Sequence, residues 1–356
     1  MTIRLYDLGK IPWDQSQLIY HALAGMGREA LCLVSPATPY VCLGLHQDLE
    51  QEVDLTYCEV NRIPIFRRDL GGGAVYLDGD QLFFQLILRR DNPLVPEKRE
   101  AFYRKFLQPP ISVYRHIGIP ARYRPINDVV VGTRKISGTG ASEIGDCVVF
   151  VGNLIIGFDY ETMCRVLKVP DEKFRDKVKK TLRENLSTIR RELGEAKAER
   201  WNQAALSRLL AEAFQKLLGR MKRDHIDSAV RAKMDELGQR MLSKEWLYGR
   251  RSKHPLERRI KIRAGTDVVY RVHKAQGGLI RADFEVREGK FSNVHISGDF
   301  FCFPKEGIEW LESVLEGQPV DRLPRIIERF FEEKEIEVPG IRIADWITVL
   351  ETGYSP

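Results

Sequence analysis

Apolar and polar positions along residues 1–160 alternate in short runs, and the pattern predicts strands more often than helices. Met1 to Leu8 reads as a strand. Asp14 to Ala24 has the spacing of a helix, with Leu18 and Ala22 on one face and Asp14 as its N-cap. Ala30 to Val34 and Tyr40 to Gly44 are apolar runs bounded by Ser-Pro and Thr-Pro, hence strands joined by a turn. Ile63 to Arg68, a glycine loop at Gly71-Gly72-Gly73, Ala74 to Tyr76 and Gln81 to Leu88 read as strand, loop, strand, strand. Arg99 to Leu107 and Pro110 to Ile117 are predicted helices. Val129 to Val131, Arg134 to Gly138 and Val148 to Ile156 read as a β-meander with glycine corners.

The pattern changes after Phe158. Glu161 to Arg200 is charged and helical, with Pro170 as punctuation, and Gln203 to Leu218 and Ser228 to Leu242 are amphipathic helices. Trp246-Leu247-Tyr248-Gly249 opens a last unit of four strands (Arg259 to Ile262, Val268 to Val272, Leu279 to Arg287, Lys290 to Ile296) and two helices (Lys305 to Leu315, Leu323 to Lys334). The fold class expected is α+β, a mixed sheet packed with helices and followed by a small α/β C-terminal domain. The expected domains are 1–245 and 246–356. No internal repeat is visible.

Composition narrows this picture. A chain of 356 residues suggests two or three domains. With 43% hydrophobic and 30% charged residues it reads as soluble and globular, not disordered. The longest apolar run, Cys147 to Phe158, is 12 residues, against the ~20 that a membrane helix needs. The N-terminus lacks the layout of a secretory signal. The six cysteines show no CxxC or zinc spacing and read as buried thiols of a reducing cytoplasm. The net charge of +6 is spread among acids, which gives no support to nucleic-acid binding.

Three segments carry candidate chemistry. In Arg67-Arg68-Asp69-Leu70-Gly71-Gly72-Gly73-Ala74-Val75-Tyr76, three missing Cβ atoms permit positive φ and close approach to a ligand. Successive N–H groups there can cradle an anion, or the loop can be a plain hairpin turn. In Asn127-Asp128 through Lys135-Ile136-Ser137-Gly138, a lysine among small and apolar residues either snorkels to solvent or meets an anion. Asp128 can share its pocket from a neighbouring strand. In Val151-Gly152-Asn153-Leu154, Gly-Asn inside an apolar strand marks a bulge, a close backbone approach or a simple kink.

The three in this order resemble the lipoate–protein ligase A family of the biotin/lipoate ligase superfamily. Arg183-Glu184-Asn185-Leu186, Trp246 to Gly249 and Ser297-Gly298-Asp299-Phe300-Phe301 extend the resemblance over nearly the whole chain. It implies a cytoplasmic, monomeric ligase that uses ATP and Mg2+ to convert lipoate to lipoyl-AMP. The lipoyl group then passes to a lysine of a carrier protein. That carrier is a glycine-cleavage H-like protein, a 2-oxoacid dehydrogenase lipoyl domain or a lipoate-binding protein of sulfur metabolism, with no nucleic acid or membrane involved. By the same resemblance Lys135 and Asp128 are catalytic, and Asp128 is also the metal candidate. Arg68, Gly71, Gly72, Gly73, Lys135, Ser137, Gly152 and Asn153 meet lipoate. Gly73, Ala74, Val75, Tyr76, Gln81, Asn127 and Lys135 meet ATP. Phe83, Leu86 and Leu154 are candidates for an apolar slot, and the basic stretch Arg250 to Arg263 for meeting an acidic carrier or simply for solvent.

The chain also departs from the family pattern. Leu77 replaces a frequent His, Gln81 stands where an Asn is used, Asp69 and Leu70 replace two serines, and Phe150 to Leu154 replace His-His-Gly-Thr-Leu. Two rival enzymes are a cysteine-dependent acyl transferase of the same fold, with Cys147 as the thiol in question, and a biotin ligase, whose glycine–arginine loop is absent. A non-catalytic lipoate- or carrier-binding protein is the rival of another class.

Overall fold

The computed structural model of the chain describes residues 2–169, 171–252, 260–263 and 266–352. Pro170 and half of the basic stretch 250–263, namely residues 253–259, lie outside the described residues. Two compact units are present. The first comprises Met1–Cys42, Val53–Asp69 and Val75–Leu247, the second Leu43–Glu52, Leu70–Ala74 and Tyr248–Pro356. Two segments from the N-terminal part of the chain thus belong to the second unit.

The first unit is built on a mixed six-stranded sheet. Its strand order is Thr139–Ile144, Cys147–Ile155, Gln81–Arg89, Ala30–Pro36, Arg4–Ile11, Lys222–Arg223. Arg4–Ile11 runs parallel to Ala30–Pro36, which requires a crossover, and the helix Gln15–Gly25 supplies it. Asp14 takes the N-cap position, but its backbone is already helical (φ −65°, ψ −43°) and its carbonyl, not its carboxylate, serves the first turn. The strand Tyr40–Leu43 does not pair with Ala30–Pro36; it is the centre of a three-stranded sheet, between Ile65–Arg67 and Val75–Leu77. The expected meander is also divided. Arg122–Arg124, Asp128–Val131 and Arg134–Ser137 form a sheet of their own, while Cys147–Ile155 joins the large sheet.

The pleat sorts the large sheet's side chains. Leu82, Phe84, Leu86 and Leu154 share one face, where Phe84 packs 5.6 Å from Phe150 and 5.7 Å from Phe214, ring centre to ring centre. Phe102 and Phe106 extend this aromatic cluster. Gln81, Phe83 and Gln85 share the other face, where Gln85 Nε2 donates to Ser16 O at 2.7 Å. Phe83 therefore cannot line one slot with Leu86 and Leu154, because the period of two turns them to opposite sides.

The second unit has a four-stranded antiparallel sheet of Ile260–Arg263, Thr266–Ala275, Gly278–Arg287 and Lys290–Gly298. Helices Gly307–Leu315, Leu323–Glu333 and Ile343–Leu350 cover it, the last of them unanticipated. Ile280, Phe284, Ile296, Phe300, Leu311, Ile327 and Trp346 fill the core between them. On the sheet, Tyr270, Asp283 and His295 stand in one cross-strand row. Ser252 donates from its N–H to Asp48 Oδ2 and from Oγ to Asp283 Oδ1, each at 2.9 Å. Burial pushes the Asp283 carboxyl up to about 7.

Candidate active site

The site in the first unit grows from the small sheet that carries Lys135. Val130 pairs with Lys135 and Arg122 with Val130, so three short strands lie side by side. Asp128 opens the middle strand, and its carboxylate is held from both sides. Lys135 Nζ lies 2.8 Å from Oδ1, and Arg124 Nη2 lies 2.7 Å from Oδ2. Burial works to raise the Asp128 carboxyl, but the Lys135 ammonium and the Arg124 guanidinium outweigh it and hold the group below its ordinary range. Lys135 keeps about a third of its side chain (35%) open to solvent. It is a partly exposed cation standing on one anion.

The backbone of the Lys135 strand is fixed on three sides. Ser187 N donates to Lys135 O at 2.8 Å, and Leu186 forms a parallel bridge to Lys135. The segment Arg183 to Leu186 thus adjoins the lysine. Buried Tyr114 donates from its hydroxyl to Ile136 O (2.6 Å) and accepts from Ile155 N (3.2 Å). Ser137 Oγ donates to Asn153 O at 2.5 Å.

Asn153 begins a directed chain of hydrogen bonds. Its Oδ1 accepts from Gly138 N at 2.8 Å, which fixes the amide's orientation. Its Nδ2 then donates to Gln81 Oε1 (2.7 Å), and Gln81 Nε2 donates to Tyr76 O (3.2 Å). Four of the residues singled out from sequence, Ser137, Asn153, Gln81 and Tyr76, are so connected. The two that replace family residues, Gln81 and Asn153, replace them as a bonded pair. Asn127 is fastened separately, donating from Nδ2 to Thr139 O at 2.6 Å.

Other expected residues have different surroundings. Gly152 is no bulge, since the register between Cys147–Ile155 and Gln81–Arg89 is unbroken. A Cβ there would lie 2.3 Å from the Phe84 ring, so an aromatic side chain requires the glycine. Arg68 donates to Cys42 O at 3.1 Å. Its neighbour Arg67 is buried and structural: Nη2 donates to Leu247 O (2.7 Å), and Arg67 O accepts from Trp246 Nε1 (2.9 Å). Val75 and Tyr76 pair with Cys42 and Val41, so the glycine loop is not a hairpin turn. The strands on either side of it are separated by Tyr40–Leu43.

Gly71, Gly72, Gly73 and Ala74 belong to the second unit. Gly72 N donates to Phe300 O at 3.0 Å, and a Cβ on Gly71 would lie 2.4 Å from the same oxygen. The close backbone approach that glycine permits is made here to the Gly298-Asp299-Phe300-Phe301 segment, and the Gly72 donor is engaged rather than offered to an anion. Arg124 and Tyr114 were not singled out from sequence. The alternation Arg122-Tyr123-Arg124 just before Asn127-Asp128 is the signal that points to the first, and the helical pattern of 110–117 hides the second.

The chain thus has a mixed sheet with helices on both faces, a lysine–aspartate pair on a small side sheet and a second, mostly C-terminal, α/β unit. The chain belongs to the lipoyl protein ligase A/B catalytic domain family, whose model matches residues 11–215. Residues 268–347 match the bacterial lipoate protein ligase C-terminus. Lipoate–protein ligase 1 of Staphylococcus aureus is 27% identical over 264 residues, 74% of each chain. Among solved structures, the bipartite lipoate protein ligase of Thermoplasma acidophilum, studied with its E2 lipoyl domain, is similar at TM-score 0.61 and 25% identity, covering 72% of this chain and all of that one. A lipoate-protein ligase A bound with ATP shares the fold at TM-score 0.58 and 22% identity, covering 70% of this chain and 99% of that one. Among the described residues, no helix is long and apolar enough to cross a membrane.

Proposed function

We propose that this protein is an ATP-dependent lipoate–protein ligase that forms lipoyl-AMP and transfers the lipoyl group to a carrier lysine. The observation that carries the reading is the Lys135–Asp128–Arg124 arrangement across the three-stranded side sheet. In the first step a carboxylate oxygen attacks the α-phosphorus and the bond to pyrophosphate breaks. Two anions must be brought together, and Lys135, partly exposed, supplies the cation between them. Asp128 keeps a counter-charge in Arg124 when Lys135 turns to substrate. In the second step the carrier's uncharged amine attacks the acyl carbon, the acyl–phosphate bond breaks to release AMP, and the amine's proton passes to solvent. Because its carboxyl is held below the ordinary range, Asp128 suits orienting an ammonium better than accepting a proton.

Both Asp128 oxygens face cations, so Asp128 would meet a magnesium ion only on releasing Lys135 or Arg124, and an ion entering with ATP would be held chiefly by the nucleotide phosphates. An anion contact by the Gly72 N–H would require its bond to Phe300 O to open. The division of roles we favour puts activation in residues 1–245 and accessory functions in 246–356. We further propose a monomer in the cytoplasm, which suits six buried free cysteines. The transferase reading is disfavoured because burial raises the Cys147 thiol to about 11, far from a thiolate at neutral pH.

The test is lipoate-dependent exchange of pyrophosphate into ATP, which needs no carrier. The wild type is expected to exchange, and Lys135→Ala to lose about 10²–10³ in rate, the scale of one oriented transition-state donor. Near-normal exchange by the variant would remove Lys135 from its role.

A further inference from the structure

The helix Glu172–Asn185 is fastened to the first unit by one row of side chains. Arg175 Nη1 donates to Cys164 O at 2.7 Å, Lys179 pairs with Glu161, and the Arg183 guanidinium lies over the Tyr160 ring. These residues, four apart, form one stripe. The adjacent stripe is apolar: Phe174, Val178 and Leu182. None of the three is buried, and Phe174 is 45% exposed. Beyond it stand exposed Lys173, Lys177 and Lys180. Lys180 reaches Glu184 only at 3.9 Å, and among the described residues Lys173 and Lys177 have no ion-pair partner. The helix carries six basic residues against three acidic ones. A helix whose apolar stripe is only half covered, with Phe174 exposed at its end, and whose outer flank is mainly cationic has a face that this unit's core does not use.

Its position says what that face serves. The helix runs directly into Leu186 and Ser187, which bridge and hydrogen-bond the backbone of Lys135. At 1.5 Å per residue, Phe174 stands about 18 Å along the chain axis from Leu186. A protein domain of about 80–100 residues is roughly 30 Å across and spans that distance. We infer that the Phe174–Val178–Leu182 stripe, with Lys173 and Lys177 beside it, is the docking surface for an acidic face of the acyl-accepting carrier protein. The inference rests on the ligase reading. Charge complementarity selects the occupant: an anionic protein surface gains from both lysines, whereas a basic one is repelled.

The experiment compares the wild type with Lys173→Glu/Lys177→Glu and, separately, Phe174→Ser. These side chains are exposed, so folding is left intact. Two readouts are taken: lipoate-dependent pyrophosphate exchange, and the KM for a purified apo lipoyl domain or apo H protein, whichever the wild type modifies. The expected result is unchanged exchange, a KM for carrier raised about tenfold in the double variant at low salt, and a gap that closes as salt screens the pair. Phe174→Ser is expected to raise the KM at all salt concentrations. Unchanged carrier KM in both variants, with exchange intact, would overturn the inference. Absence of exchange in the wild type would instead overturn the ligase reading on which it rests.

Discussion

Replacing Asn153 by alanine removes the centre of the hydrogen-bond chain that joins the Lys135 strand to the large sheet. Two bonds go: Gly138 N to Oδ1 at 2.8 Å and Nδ2 to Gln81 Oε1 at 2.7 Å. Gln81 is buried, so its oxygen is left without a partner, and turning its amide over would break the bond from Nε2 to Tyr76 O. Leaving a buried group unsatisfied costs about 1–3 kcal/mol, and Gly138, half buried, sits at the low end. The expected loss is about 2–4 kcal/mol. A unit of this size changes its melting temperature by roughly 2–4 °C per kcal/mol, so a fall of about 4–16 °C follows. Thermal melts followed by circular dichroism measure it. A double-mutant cycle with Gln81→Ala should return a coupling of at least about 0.5 kcal/mol. A melt within 1 °C of wild type would refute the argument that this chain is buried and directed as described.

Three further outcomes are expected. Gly152→Ala drives a methyl into the Phe84 ring, which the Phe150 and Phe214 rings hold in place. It should cost about 1–3 kcal/mol in chemical denaturation, and a midpoint equal to wild type would show that Phe84 can move. Arg124→Gln leaves Asp128 with Lys135 alone. The stabilisation of the Asp128 carboxylate is present above its ordinary pKa and lost as pH falls through the depressed one, so removing Arg124 should move the acid limb of the exchange rate to higher pH. An unmoved limb would separate Arg124 from the site. Asp283, raised to about 7, binds a proton in the folded unit that the unfolded chain has released, so stability falls as pH rises from about 4 to about 7. Asp283→Asn should melt higher than wild type at pH 8 and not at pH 4; equal melts at pH 8 would count against a buried charge there.

Local pattern revealed most elements but not their partners. The helix Gln203–Leu218 was legible from its apolar spacing alone, and the structure adds Asn202 as its cap. The strand Tyr40–Leu43 was legible as a strand, yet nothing in four apolar residues says that it centres a separate sheet. The meander was misjoined for the same reason: strand pairing is decided by residues far apart in sequence. Lys135 and Asp128 were legible as a pair, since seven residues with a glycine corner between them bring two strands together. Arg124 was hidden because its role depends on a third strand. The glycine loop showed only that backbone comes close to something; that Phe300 is its neighbour depends on a contact more than two hundred residues away in the chain.

The most direct test of the central claim is the intact mass of an apo lipoyl carrier after incubation with this protein, free lipoate and Mg-ATP. The expected result is the mass increase of one lipoyl group, absent when ATP is omitted and suppressed about 10²–10³-fold in initial rate by Lys135→Ala. An adduct that forms from an acyl-carrier thioester without ATP, with none from lipoate and ATP, would contradict it.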